Sequence, residues 1–289
     1  MDMLRSDRPG STTRDGERAI GALLQRPLFE LIPLRDALDR AEALPPGSRT
    51  TVTASPSHGI ESTVELCEGL IVRGHEATPH LAAHMFRDRA HLGDILDRCR
   101  SAGIHAAFVV GGDAKDRGEL HDALSMLRAM DELGHPFGSI GVAGYPEGHP
   151  SIPDERLLSS LLEKQRFADH VTTQMTFDGG AIAAWIASVR GAGVTLDVHV
   201  GVPGAVRIRR LLRVAARIGV GGSLRYLRKN RQLIQLLIRR TYTADRLVRS
   251  LGSSLGDPAA DVRALHLFTF NQVAETVAWH QRMLRELEG

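Results

Sequence analysis

Cysteine is nearly absent from this 289-residue chain: Cys67 and Cys99 are the only two. Their spacing fits neither a disulfide framework nor a thiolate metal site, so they read as buried thiols of a reducing compartment. Long apolar runs are missing too, since no stretch reaches the roughly 18 residues that a membrane-spanning helix needs. The first eighteen residues are polar, carry charges of both signs and contain no apolar core segment, which is unlike a secretory signal. Nor is one sign of charge in excess. With 36 Lys and Arg against 34 Asp and Glu, composition gives no reason to invoke a polyanionic partner. Also lacking are a Gly-x-Gly-x-x-Gly fingerprint after the first strand, a Gly-x-Ser-x-Gly elbow, a phosphate-binding Gly-Lys loop and any zinc-ligand spacing. These absences argue for a cytoplasmic protein without membrane or nucleic-acid partners and without a bound metal, and they weaken a Rossmann reading.

What is present is an alternation of short β-branched runs with segments of helical period. Residues 1–24 are rich in Arg, Asp, Ser, Thr and Gly and read as a flexible arm, leaving 25–289 as one domain. Strands are expected at 28–32, 50–54, 78–83, 106–110, 139–143, 170–175, 195–200 and 264–270, with helices such as 60–73, 91–102 and 119–133 between them. Several helices end in Gly just before the next strand, as at Gly103 and Gly193. Eight βα units favour a (β/α)8 barrel of the TIM type, although an open doubly wound sheet shares the local signature.

The interval 204–258 is too long for one helix and reads as a helical insertion before the last strand. Between Val198 and Ala244 no acidic residue occurs, while eleven Lys and Arg run from Arg207 to Arg240 and include Arg225, Arg228 and Lys229. Such a stretch is either a solvated helix face or a collar for an anionic ligand. Aromatic residues are sparse there, with Tyr226 and Tyr242 alone, so the stacking platforms of a single-strand binder are missing.

In a parallel barrel, polar residues at the carboxy-terminal ends of strands converge on one pocket. Glu30 sits inside the apolar strand Phe29-Glu30-Leu31-Ile32, where an unpaired carboxylate is costly and burial favours the protonated form that a general acid needs. A salt-bridged structural carboxylate is the alternative. Asp113 follows Gly111-Gly112, where backbone can approach a ligand closely, or where the chain merely turns. Gln174 ends a strand and offers both donor and acceptor to a heterocycle edge, or satisfies local backbone. Tyr145 and His149 stand on a Pro-braced loop, and His80 in a strand reads first as a satisfied core residue.

In order, these positions resemble the methylenetetrahydrofolate reductase family. The resemblance is carried by Phe29-Glu30-x-x-Pro33, Val52-Thr53, Pro79-His80-Leu81, Gly112-Asp113, Tyr145-Pro146-Glu147-x-His149-Pro150, Thr173-Gln174-x-x-Phe177-Asp178 and His266-Leu267-Phe268-Thr269-Phe270-Asn271. It implies a barrel that reduces a folate methylene group to methyl with NADH or NADPH. Glu30 is then the acid that opens the folate's five-membered ring, Asp113 the residue that holds the pterin, and Gln174 a folate contact. Thr53, His80, Tyr145 and His149 fall where the family binds its flavin. Tyr226 and Gln272 are placed on the substrate side, Gln272 standing where the family carries Arg.

Three departures concern the flavin. Gly111 replaces an Arg, Glu163 stands where a Lys is expected, and Phe167 replaces a small turn residue. They imply that FAD is absent and that hydride passes directly from nicotinamide to folate. The alternatives are the flavin-dependent form of the reaction, a tetrahydrofolate-linked demethylase or methyltransferase on the same barrel, and, more distantly, a nucleic-acid-binding barrel.

Overall fold

The computed structural model describes residues 14–112, 118–209, 211, 241–252 and 257–288. Asp113, Tyr226 and nearly all of the Arg-rich run lie outside the described residues.

Eight parallel strands close into a barrel. Around it they follow the order β1 (Leu28–Leu31), β10 (Val262–Phe268), β7 (Asp197–Pro203), β6 (His170–Thr173), β5 (Ser139–Gly144), β4 (Ala106–Val110), β3 (Glu76–Ala82) and β2 (Arg49–Val52). Helices α1 (Arg14–Gln25), α2 (Ala37–Ala41), α3 (Gly59–Val72), α4 (Arg89–Ser101), α5 (Ala123–Leu133), α6 (Asp154–Lys164), α7 (Gly179–Gly191), α8 (Asp245–Ser250) and α9 (Val273–Glu288) flank the strands. This is the expected (β/α)8 architecture. β7 and β10 are neighbours, so residues 204–261 form the last connection of the barrel, the interval expected to hold the insertion. A short antiparallel pair, β8 (Val206–Arg207) with β9 (Thr241–Tyr242), brings the two ends of that insertion together.

Local chemistry sets the helix starts. Asp88 caps α4 by accepting from His91 N, Asp122 and Ser125 form a capping box on α5, and Asp178 accepts from Gly180 N and Ala181 N at α7. Residues 14–24, expected within the flexible arm, belong to α1, and residues 1–13 lie outside the described residues. Ile20 and Leu24, one turn apart, are fully buried, and His280 Nε2 of α9 donates to Leu24 O at 2.6 Å. Two apolar residues among many charges carried that helix.

Strand alternation divides the barrel into two chemistries. Val142, Val171, Val198, Val200, Leu265 and Leu267 are fully buried within the apolar core that the helices complete. The opposite parity faces the barrel axis and is unusually polar, with Glu30, His80, His170, His199 and His266 all buried. The rings of His170 and His199 stack at 3.9 Å. Gly141 makes room for them, since a Cβ there would lie 2.3 Å from His170 Nε2 and 2.8 Å from the Phe108 ring. Cys67 and Cys99 are buried and free, and burial raises both thiols, Cys99 to about 12. No helix among the described residues is long and apolar enough to cross a membrane.

Burial pushes His80 and His170 down from 6.5 to about 4 and His199 further still, the charge of His170 also lowering His199. Below pH 6.5 the unfolded chain therefore binds protons that the folded barrel refuses. Their stabilisation is complete above that pH and is lost as pH falls towards 4. Urea denaturation should show a loss of about 2 kcal/mol for each such histidine between neutrality and about pH 5. A His199→Gln variant should lose less over the same range. A wild-type midpoint that does not move would contradict a neutral histidine interior.

Candidate active site

Glu30 is the penultimate residue of β1, at the end of the barrel where the strands finish. Its carboxylate is not unpaired, as its apolar strand had suggested. Oε2 accepts from Nε2 of buried His266 at 3.1 Å, and Nε2 of His80 lies 4.0 Å away, beyond hydrogen-bond reach. His80 leans on the Phe108 ring at 4.6 Å and His266 on Phe268 at 4.8 Å, so both imidazoles are wedged by aromatic neighbours. Desolvation outweighs the attraction of Glu30 and keeps His80 neutral at physiological pH.

These three groups converge within 4.8 Å, the one such His/carboxylate set among the described residues. Their separation along the chain hid them from any search for metal-ligand spacing. Within this set one hydrogen bond joins His266 to Glu30, and His80 Nε2 stays 4.0 Å from the carboxylate.

The loop after β10 fixes the acid's backbone. Thr269 Oγ1 donates to Glu30 O at 2.5 Å. Asn271 Oδ1 accepts from Ile32 N at 2.8 Å, and its Nδ2 donates to Ile32 O at 2.9 Å, so one side chain continues the ladder past the end of β1. Phe270 and Asn271 hold φ of 52° and 56°. Asn tolerates that region, whereas a bulky Phe there costs roughly 1–3 kcal/mol, which the buried hydrogen bonds around it offset.

The other expected site residues divide by position. Thr53, Tyr145, His149 and Gln174 all follow the carboxy-terminal ends of their strands and are half-buried at the same mouth as Glu30. Thr53 N donates to Leu31 O, Gln174 N donates to Gly144 O, and Tyr145 meets His149 edge-on at 5.2 Å. Gly112, beside Asp113, has φ of +91° and a Cβ there would lie 2.9 Å from Ala82 Cβ, so the loop after β4 excludes any side chain at that point. Gln272 is buried, with its Oε1 accepting from Arg207 N at 3.0 Å. The amide holds β8 in place and does not stand open at the mouth.

The positions expected to disturb a flavin also separate. Gly111 lies at the mouth, directly after β4. Glu163 is in the last turn of α6, about 14 Å along the axis from its start, and pairs with Arg128 of α5 at 3.7 Å on the outer shell. Phe167 packs against the core on the turn leading into β6, at the opposite end from Glu30, so it does not narrow the mouth. Its single-residue change looked equivalent to the others only without the fold.

Sequence reasoning passed over the functional weight of His266, Thr269 and Asn271, and over the stacked His170 and His199. The available signal was parity: His199 and His266 each sit between apolar residues of the opposite face, and His170 opens its strand just before Val171.

The sequence profile described as methylenetetrahydrofolate reductase matches residues 32–221. A probable methylenetetrahydrofolate reductase (NADPH) of Caenorhabditis elegans is 28% identical over 127 residues, which cover 42% of this chain and 19% of that protein. Methylenetetrahydrofolate reductase 1 of Schizosaccharomyces pombe is 39% identical over 67 residues and methylenetetrahydrofolate reductase 2 of Saccharomyces cerevisiae 37% over 68, each over 22% of this chain and 11% of the relative. The matched segments thus span a fifth or less of the length of these relatives. With the profile covering well over half of the barrel, the chain belongs to the methylenetetrahydrofolate reductase family.

Proposed function

We propose that the barrel reduces 5,10-methylenetetrahydrofolate to 5-methyltetrahydrofolate with NADH or NADPH as hydride donor. The observation that carries this reading is a buried carboxyl, Glu30, held by His266 beneath a mouth rimmed by Thr53, Tyr145, His149 and Gln174. Glu30 gives its proton to the folate amine that leaves the methylene carbon, and the imidazolidine ring opens to an iminium. Hydride from the nicotinamide C4 then attacks that carbon, so one proton and one hydride are consumed in each turnover. Burial keeps the acid apart from bulk water, where its proton would otherwise be shared with solvent.

Asp113 and Gln174 take the pterin side, while Thr53, Tyr145 and His149 line the nicotinamide, with neutral His80 beneath them. Tyr226 and the Arg-rich run face the anionic folate tail or the dinucleotide phosphates. Gln272 acts through Arg207, holding the start of that run. Neutralising Arg225, Arg228 and Lys229 together should raise the Michaelis constant for folate or nucleotide, more so at low salt. Unchanged constants would make the run a solvated face.

Hydride transfer without a flavin is supported by Gly111, which brings no cation to the loop after β4. An FAD diphosphate calls for positive charge at such a point. Direct transfer needs both substrates together with reacting atoms about 3–3.5 Å apart, so initial-rate plots should intersect. Parallel plots, or stoichiometric flavin absorbance in purified protein, would favour the flavin-dependent form.

Glu30→Gln keeps shape and hydrogen bonding but carries no transferable proton, and kcat should fall about 100- to 10,000-fold with the fold intact by circular dichroism. Near wild-type turnover in that variant would remove Glu30 as the acid.

A further inference from the structure

The reaction proposed above leaves Glu30 deprotonated after every turnover, at a time when products fill the mouth above it. Its other side offers a second route. A cavity of about 410 Å³ opens at the amino-terminal end of the barrel, where Arg49, Glu76, Ala106, Ser139 and His170 begin their strands. It reaches inward past Thr51, Thr78 and Thr172 as far as His266. His266 therefore lines this cavity with one part of its ring while Nε2 touches the Glu30 carboxylate at 3.1 Å. Thr51 Oγ1, also on the cavity wall, is buried without a hydrogen-bond partner, and with Thr78, Thr172 and His170 beside it a water entering from the open end finds polar partners.

We infer that Glu30 is reprotonated through His266 from the amino-terminal end of the barrel, so that substrates and protons reach the acid from opposite mouths. The inference rests on the reading of Glu30 as the acid. Water in the cavity delivers a proton to Nδ1 of His266, and the imidazolium passes its Nε2 proton to the Glu30 carboxylate. The ring is left neutral with its proton on Nδ1, and it regains the starting tautomer by rotating Nε2 away from Glu30 to take a proton from cavity water as Nδ1 releases one. Nothing is oxidised or reduced, and the proton that enters is the one the folate amine takes.

The other groups facing this interior do not compete for the role. His80 on β3 makes no hydrogen bond to Glu30, and His170 on β6 and His199 on β7 are stacked on one another, all three held neutral by burial. Arg49 on β2 stands at the outer edge beside Glu76, 3.8 Å away, with His75 and His105 at the rim. Thus Glu30 has one hydrogen-bonded ionisable partner among the described residues, and that partner is the one on the cavity wall.

Three variants test the route. His266→Gln keeps a donor towards Glu30 but carries no proton through, and its kcat should fall at least about tenfold, within the range of acid–base effects, while both Michaelis constants hold within about twofold. His266→Ala should recover turnover when imidazole is added. Adding Ser139→Leu, which narrows the cavity far from the substrates, should abolish that rescue while leaving the fold intact by circular dichroism. Wild-type kcat in His266→Gln, no rescue by imidazole, or rescue unaffected by Ser139→Leu would each overturn the route while Glu30 stands as the acid. A wild-type protein that does not reduce methylenetetrahydrofolate would overturn the reading of the reaction and this inference with it.

Discussion

The hydrogen bond between Glu30 and His266 is the constraint around which the barrel is arranged. A carboxylate inside a parallel barrel has lost its hydration and must find partners in the protein. Here it finds one, on the neighbouring strand, and the loop that follows that strand returns to hold the backbone of Glu30 and Ile32 through Thr269 and Asn271. The strained pair Phe270 and Asn271 belongs to the same arrangement. β1 and β10 lie more than 200 residues apart in sequence, and ring closure of the barrel makes them neighbours. The Glu30–His266 pair exists only once the barrel is shut.

The rest of the interior is consistent with this. Barrels of this type are usually filled by Val, Ile and Leu. This one places apolar residues on the helix-facing parity and spends the axial positions on histidine, threonine and a glutamate. Neutral imidazoles supply polarity without fixed charge, so Glu30 meets hydrogen-bonding capacity without a permanent cation pinned against it. The cost is sensitivity to acid, because each buried ring would rather be charged in water.

Much of this was legible in the residues. Alternating βα units gave all eight barrel strands, and Ala106–Val110 was placed with its observed bounds because an unbroken apolar run there ends at Gly111-Gly112. Helix α1 was not legible, since Ile20 and Leu24 are diluted by charge, and only α9 reveals why they are buried. At the site, the strand-end rule located Tyr145, His149 and Gln174 at one mouth, and the family resemblance added Thr53. The rule could not supply a partner for Glu30, because pairing between β1 and β10 is a property of closure. It also treated Phe167 as equivalent to Gly111, although an αβ turn and a βα loop lie at opposite ends of the barrel.

The central claim is that this barrel passes hydride directly from nicotinamide to a folate methylene carbon while Glu30 supplies the proton. Incubating the protein with methylenetetrahydrofolate and reduced nicotinamide dinucleotide deuterated at the transferred C4 position, in ordinary water, tests the hydride route. Mass spectrometry of the product should show 5-methyltetrahydrofolate with one deuterium retained in its methyl group. A methyl group whose label has washed out to solvent would contradict direct transfer, and absence of the methyl product would contradict the reaction itself.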